Sequence, residues 1–211
     1  MKSRIHADRE RIIKAYGIGG EMKRALIVVD LQNDFCAGGS LAVTEGEKLT
    51  VVINKIMKEK KFDVIVATQD FHPANHCSFK SNGGIWPDHC VTGAYGAELR
   101  NDLDQSKINL ILRKGMNSEV DSYSAFFDND HKTDTGLLHY LGGLGIEEVY
   151  ICGLATDYCV AFSALDAKLH FDTFVLTDAC RGVDLPAGNL FATLENLAKN
   201  NVKLINSSEI K

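Results

Sequence analysis

Four positions carry chemistry of different kinds, and each follows an apolar run. Ala25-Leu-Ile-Val-Val29 is followed by Asp30, and Val64-Ile-Val-Ala67 leads to Asp70, two residues before His72. The run from Ile108 to Leu112 leads to Lys114, and Val149 to Cys152 leads into Gly153-Leu-Ala-Thr-Asp-Tyr-Cys159. An acid, an acid with an imidazole, an amine and a thiol are the ingredients of nucleophilic catalysis, in which a weak nucleophile needs an adjacent base or a neighbouring charge to activate it. One charged residue after a strand is usually a solvated boundary. Four on one rim favour a site, because open α/β sheets bind ligands outside the carboxyl ends of their strands.

Cys159 follows a buried run and opens a helix, with Thr156 and Asp157 as expected caps. A thiol in a first helical turn faces the positive end of the helix dipole, so its pKa is expected to fall. Unpaired N–H groups of the same turn offer an oxyanion hole. The plain alternative is a buried structural cysteine. Cys36, Cys77, Cys152 and Cys180 are left with it, and position sets Cys159 apart.

Asp70 and His72, at i and i+2, share one side of an extended segment, and His89 can return to them after Trp86-Pro87. One carboxylate and two imidazoles leave coordination positions open, as catalytic metal sites require. One divalent metal ion is therefore expected as cofactor, and these donors suit zinc, iron and manganese alike. His76 reads equally as a fourth ligand and as an outer histidine. Cys77 and Cys90 beside histidines keep a structural zinc site in view, weakened by the lack of C-x-x-C spacing. His6, His131, His139 and His170 read as solvated or packed.

These side chains need elements to hold them. Near-continuous apolar runs fit strands covered on both faces, and Thr173 to Leu176 and Val202 to Ile205 add two more. Between runs, Leu49, Val52, Ile53, Ile56 and Met57 repeat at helical spacing, as do Leu137, Leu138 and Leu141 before the stop Gly142-Gly-Leu-Gly145. Residues 159–169 and 189–199 are two further helices. The alternation predicts an α/β fold, a three-layer doubly wound domain with a mainly parallel sheet. Residues 71–104 have no clean period yet hold the only Trp and three of the seven His, which marks the stretch as functional rather than filler.

The 211 residues carry a net charge of −5, which disfavours nucleic acid as a partner and leaves a small molecule as the expected substrate. No apolar run reaches membrane-spanning length. Residues 1–21 are charged throughout without an apolar centre, so no signal peptide is read and a cytoplasmic location is expected. There the six cysteines read as thiols, ligands or a nucleophile rather than bridges.

Asp30 in Val-Val-Asp-Leu-Gln-Asn-Asp-Phe35, Lys114 in Arg-Lys-Gly and Cys159 in Gly-Leu-Ala-Thr-Asp-Tyr-Cys-Val resemble the triad of the cysteine hydrolases related to isochorismatase. Asp70-Phe-His72, Trp86-Pro-Asp-His-Cys90 and Asp121-Ser-Tyr-Ser-Ala-Phe126 narrow the resemblance to nicotinamidases, also called pyrazinamidases. It runs from about Lys23 to the C-terminus, which gives a hydrolase domain at 23–211 and an N-terminal extension at 1–22. The resemblance implies a six-stranded parallel sheet. It also implies hydrolysis of nicotinamide to nicotinate and ammonia in NAD salvage, with pyrazinamide accepted too. It implies that Asp30 takes the thiol proton, that Lys114 supports both partners, and that Ala155 and Cys159 N–H groups form the oxyanion hole. A cis Leu154–Ala155 peptide is implied as well. Asp70, His72 and His89 would hold the metal against the pyridine nitrogen, with Phe35, Trp86 and Tyr123 walling the ring. Replacing any triad member is expected to abolish turnover and spare the fold. The rivals are another cysteine amidohydrolase of the superfamily and a metal-binding protein without turnover.

Overall fold

The computed structural model describes residues 22–211. The extension at 1–22 thus lies, but for Met22, outside the described residues. Six parallel strands form one sheet: β1 (Arg24–Val29), β2 (Val64–Asp70), β3 (Leu110–Lys114), β4 (Glu148–Leu154), β5 (Asp172–Arg181) and β6 (Lys203–Ile205), in the order β3-β2-β1-β4-β5-β6. Every residue of β2 and β4 is buried, as is β1 from Ala25 onward, which explains the apolar runs at 25–29, 64–67 and 149–152.

Among the described residues four α-helices lie between the strands: α1 (Leu49–Glu59), α2 (Leu137–Leu144), α3 (Ala161–Ala167) and α4 (Asn189–Lys199). The chain moves outward one way through β1, β2 and β3 and the other way through β4, β5 and β6. Right-handed crossovers therefore put α1 on one face and α3 and α4 on the other. The buried side of α1 carries Leu49, Ile53, Ile56 and Met57. α2 stops where its glycines predict, with Gly145 at φ +71 and Ile146 N–H donating to Leu141 O at 3.1 Å.

This strand order reverses direction between β1 and β4, which makes their carboxyl ends the switch point where ligands bind. The register delivers the expected residues there. Asp70 pairs with Lys114 across β2 and β3, and Val29 pairs with Gly153 across β1 and β4. Gly153, at φ +113, leaves no room for a Cβ against the Val29 backbone, so only glycine allows this close approach just ahead of the turn that carries Cys159.

The aperiodic stretch from 71 to 104 is pinned rather than loose. His72 N–H donates to Cys90 O at 3.0 Å, and Thr92 N–H donates to His72 O at 2.8 Å. Asp34 Oδ2 accepts from Cys90 N–H at 2.7 Å. Among the described residues no helix is long and apolar enough to cross a membrane.

Candidate active site

Lys114 ends β3 with a fully buried side chain. Its ammonium reaches Asp70 Oδ1 at 2.5 Å, Ser122 O at 2.8 Å, Asp30 Oδ2 at 2.9 Å and Cys159 Sγ at 3.5 Å. Asp30, just past β1, is fully buried at φ +46. Its Oδ1 accepts from Thr68 Oγ1 at 2.6 Å, and its own N–H donates back to that oxygen at 3.1 Å. Burial pushes the Asp30 carboxyl up against the pull of Lys114, which strengthens it as a base. Burial also opposes charge on Asp70, but Lys114 and His72 outweigh it and hold that carboxyl well below the usual range. Lys114 loses from burial and gains more from its two carboxylates, so it stays charged.

The thiol departs from the sequence expectation. Burial pushes the Cys159 pKa well up, with Lys114 pulling the other way, so the group rests as a thiol until a base takes its proton. The turn that carries it, Thr156–Val160, is a single π-helical turn leading into α3. Neither Thr156 nor Asp157 caps it. The backbone places Ala155 at the cap position without a side-chain bond, and Asp157 is engaged elsewhere.

Ligand-type atoms of Asp70, His72 and His89 lie within 4.8 Å of one another. His72 Nδ1 faces Gly115 O at 2.8 Å and His89 Nδ1 faces Pro87 O at 2.7 Å. Carbonyls only accept, so both Nδ1 atoms carry a hydrogen, and in the neutral rings both Nε2 atoms keep their lone pairs, that of His72 lying 3.6 Å from Asp70 Oδ2. His72 Nε2 is buried without a hydrogen-bond partner, and so is His76 Nε2. His76 stacks on His72 with ring centroids 4.0 Å apart, and its Nδ1 bonds Ser78 Oγ at 2.7 Å. Orphaned buried acceptors are costly, and a divalent cation answers the cost. The donor set therefore fits such an ion. Asp30, Asp70 and Cys159 are equally close together, but the Lys114 ammonium already sits among them.

Cys159 of the triad and Asp70 and His89 of these donors line one cleft. Phe35, Trp86, Tyr123, Tyr158, Ala155 and Cys159 contribute to its lining. Trp86 Nε1 donates to Tyr123 Oη at 3.0 Å, and the Tyr158 ring meets both rings edge-on. The Leu154–Ala155 peptide is cis, as the resemblance implies.

The isochorismatase domain profile matches residues 24–209. The chain belongs to the isochorismatase family. Over 191 residues it is 45% identical to the nicotinamidase of Escherichia coli (strain K12), covering 82% of this chain and 90% of that protein. The crystal structure of PnC1 from L. infantum in complex with nicotinate superposes with a TM-score of 0.86 at 42% identity, covering 90% of this chain and 95% of that one. The pyrazinamidase of Pyrococcus horikoshii in complex with zinc gives 0.77 at 40% identity, covering 87% and 99%.

In this isochorismatase-family chain the three expected triad residues meet at the Lys114 ammonium, the three expected ligands cluster, and Cys159, Asp70, His89 and the expected wall residues line one cleft. Sequence reasoning overlooked Gln32. Its side chain accepts from Asp70 N–H at 2.8 Å and donates to both Asp70 O and Ala97 O at 2.8 Å. It thereby locks the end of β2 from which Asp70 projects. The available signal was a long amide two residues past a strand-end acid. Tyr158 was overlooked too, although it adjoins the nucleophile.

Two predictions arise here. The sequence expectation that Lys114→Ala spares the fold does not survive the geometry. Removing the ammonium leaves two carboxylates facing each other in a dry interior, and breaking such a buried arrangement costs about 3–5 kcal/mol. Urea titration should show that loss for Lys114→Ala, and an unchanged midpoint would contradict the pairing. Gly115 sits at φ +66, and a Cβ there would collide with the His72 ring. Gly115→Ala is expected to weaken divalent-metal binding by about tenfold or more, the usual effect of disturbing a ligand's support. Competition titration against a chromophoric chelator reads it, and wild-type affinity would count against His72 as a ligand.

Proposed function

We propose that this chain is a nicotinamidase that hydrolyses nicotinamide to nicotinate and ammonia in NAD salvage, and that it also accepts pyrazinamide. The observation that carries the reading is the buried Lys114 ammonium, in reach of both the Asp30 carboxylate and the Cys159 thiol, which lines an aromatic cleft. The relatives named nicotinamidase and the neighbour bound to nicotinate support the choice of amide.

Asp30 takes the proton from Cys159 Sγ, helped by the raised basicity that burial gives it. The thiolate, steadied by Lys114, attacks the carboxamide carbon. The backbone N–H groups of Ala155 and Cys159 receive the developing oxyanion. Protonated Asp30 then gives its proton to the departing nitrogen, releasing ammonia and leaving a nicotinoyl thioester on Cys159. Asp30 next draws a proton from water, which attacks the thioester. Collapse frees nicotinic acid and Asp30 returns its proton to the thiolate; the acid's own proton passes to the released ammonia, giving nicotinate and ammonium, so protons balance over the cycle.

Phe35, Trp86 and Tyr123 wall a flat, neutral ring, the kind of ligand such a slot suits. Asp70, His72 and His89 would hold a divalent ion, zinc by analogy with the Pyrococcus neighbour, with iron or manganese compatible. Such an ion supplies a Lewis-acid anchor for a ring nitrogen. The unpartnered Nε2 supports His76 as a fourth contributor. The hydrolase domain spans 23–211, and the six free thiols fit a cytoplasmic setting.

The test is ammonia release by the zinc-loaded protein from nicotinamide, pyrazinamide and a carbamoylated amine. The reading expects the two aromatic amides to be turned over and the carbamoyl compound to be poor. Preference for the carbamoyl compound would move the chain to another branch of the family, and no ammonia from any would return it to a binding role.

A further inference from the structure

The loop from Gly182 to Gly188, between β5 and α4, forms one side of the cleft through Val183. It is tied to the nucleophile turn by two neighbouring residues of that turn. The buried Asp157 carboxylate accepts from Val183 N–H at 2.9 Å, from Asp184 N–H at 2.8 Å and from Asn189 Nδ2 at 3.2 Å. Tyr158 Oη donates to Leu185 O at 2.7 Å while its ring lies against Trp86 and Tyr123.

The loop is also stiff in itself. Asp184 Oδ1 accepts from both Gly188 N–H and Leu190 N–H at 2.9 Å. At Gly182 a Cβ would lie 2.7 Å from Leu190 Cδ1 and 3.1 Å from Asp157 Oδ1, so loop and turn are in close packing. A stiff loop held at two points behaves as a wall. Residues 157 and 158 tie it to the nucleophile turn, in addition to the packing of Val183 on the core.

We propose that Asp157 and Tyr158 are positioning residues that clasp the 182–188 loop to the nucleophile turn and so fix the width of the cleft, which admits an unsubstituted azine carboxamide and rejects ring-substituted ones. The proposal rests on the nicotinamidase reading. Charge-assisted bonds from a buried carboxylate to backbone N–H groups are the strong kind. Exchanging that carboxylate for an amide turns one acceptor toward N–H donors into a donor facing them. The wall then loses its anchor while the triad keeps its members.

The experiment compares wild-type, Asp157→Asn and Tyr158→Phe full-length enzyme, zinc-loaded, on nicotinamide and on its 4-, 5- and 6-methyl derivatives. In a close-fitting pocket one methylene is worth about 10–200-fold in discrimination. Asp157→Asn should lower the preference for nicotinamide over the best methylated substrate about tenfold, and raise KM for nicotinamide more than it lowers kcat. Tyr158→Phe, which keeps the ring and loses only the bond to Leu185, should lower that preference about threefold. General loss of folded enzyme would depress all four substrates alike and leave the ratio where it was. Unchanged preference in the folded variants overturns the clasp. If Asp157→Asn does not fold, Tyr158→Phe decides alone by the same ratio. A wild-type enzyme inactive on nicotinamide overturns the nicotinamidase reading, and the clasp's selectivity role with it; an active wild type with unaltered variants overturns only the clasp.

Discussion

Cys159→Ala is expected to lower nicotinamide hydrolysis by about 10,000-fold or more while leaving the protein folded. In the proposed mechanism the thiol is the nucleophile, held against both Asp30 and Lys114, and an alanine at a position already buried in a packed turn removes one sulfur atom without orphaning a charge. Asp30→Asn should cost nearly as much, because the amide cannot take the thiol proton. Combining the two should cost little more than either alone, the signature of residues that act as a unit. Coupled detection of ammonia measures all three, and circular dichroism checks the fold. Folded Cys159→Ala with near-normal turnover would remove the covalent route.

The second large effect concerns the ring nitrogen. Nicotinamide and pyrazinamide place a nitrogen in the same relation to the amide, and benzamide has none. If the orphaned Nε2 of His72 marks an ion held with Asp70 and His89, a site built around that anchor rejects the analogue lacking it far more strongly than an apolar slot would. Specificity constants for nicotinamide and pyrazinamide should lie close together, with benzamide about 100-fold lower or worse. Chelation should narrow that gap, because what the ion contributes is orientation. Equal constants for benzamide and nicotinamide in the zinc-loaded protein would reduce the histidine cluster to a pin for the 71–104 stretch.

The parts legible in the sequence share a physical reason. β1, β2 and β4 are covered on both faces, so their runs read without a break, and the residues just past them, Asp30 and Cys159, or closing them, Asp70, could be placed on one rim. β3 is an edge strand with alternating burial, and the apolar run at 108–112 pointed two residues short of the observed Leu110–Lys114. β5 extends past Leu176 through Thr177 and Asp178 to Arg181, because pairing continues beyond the apolar stretch after a register shift. Asp157 read as a cap because helix-start chemistry is local, whereas its partners lie 26 to 32 residues away. Tertiary burial likewise overrode the dipole argument for the Cys159 thiol. The wall residues and the cis Leu154–Ala155 peptide came from resemblance alone, since no spacing rule selects Phe35, Trp86 or Tyr123.

The most direct measurement of the central claim is peptide mapping of wild-type enzyme acid-quenched within milliseconds of mixing with excess nicotinamide. The account predicts a nicotinoyl group on the peptide that contains Cys159, discharged by hydroxylamine as a thioester should be. Nicotinate forming at every time sampled with no acyl group on Cys159 would contradict it.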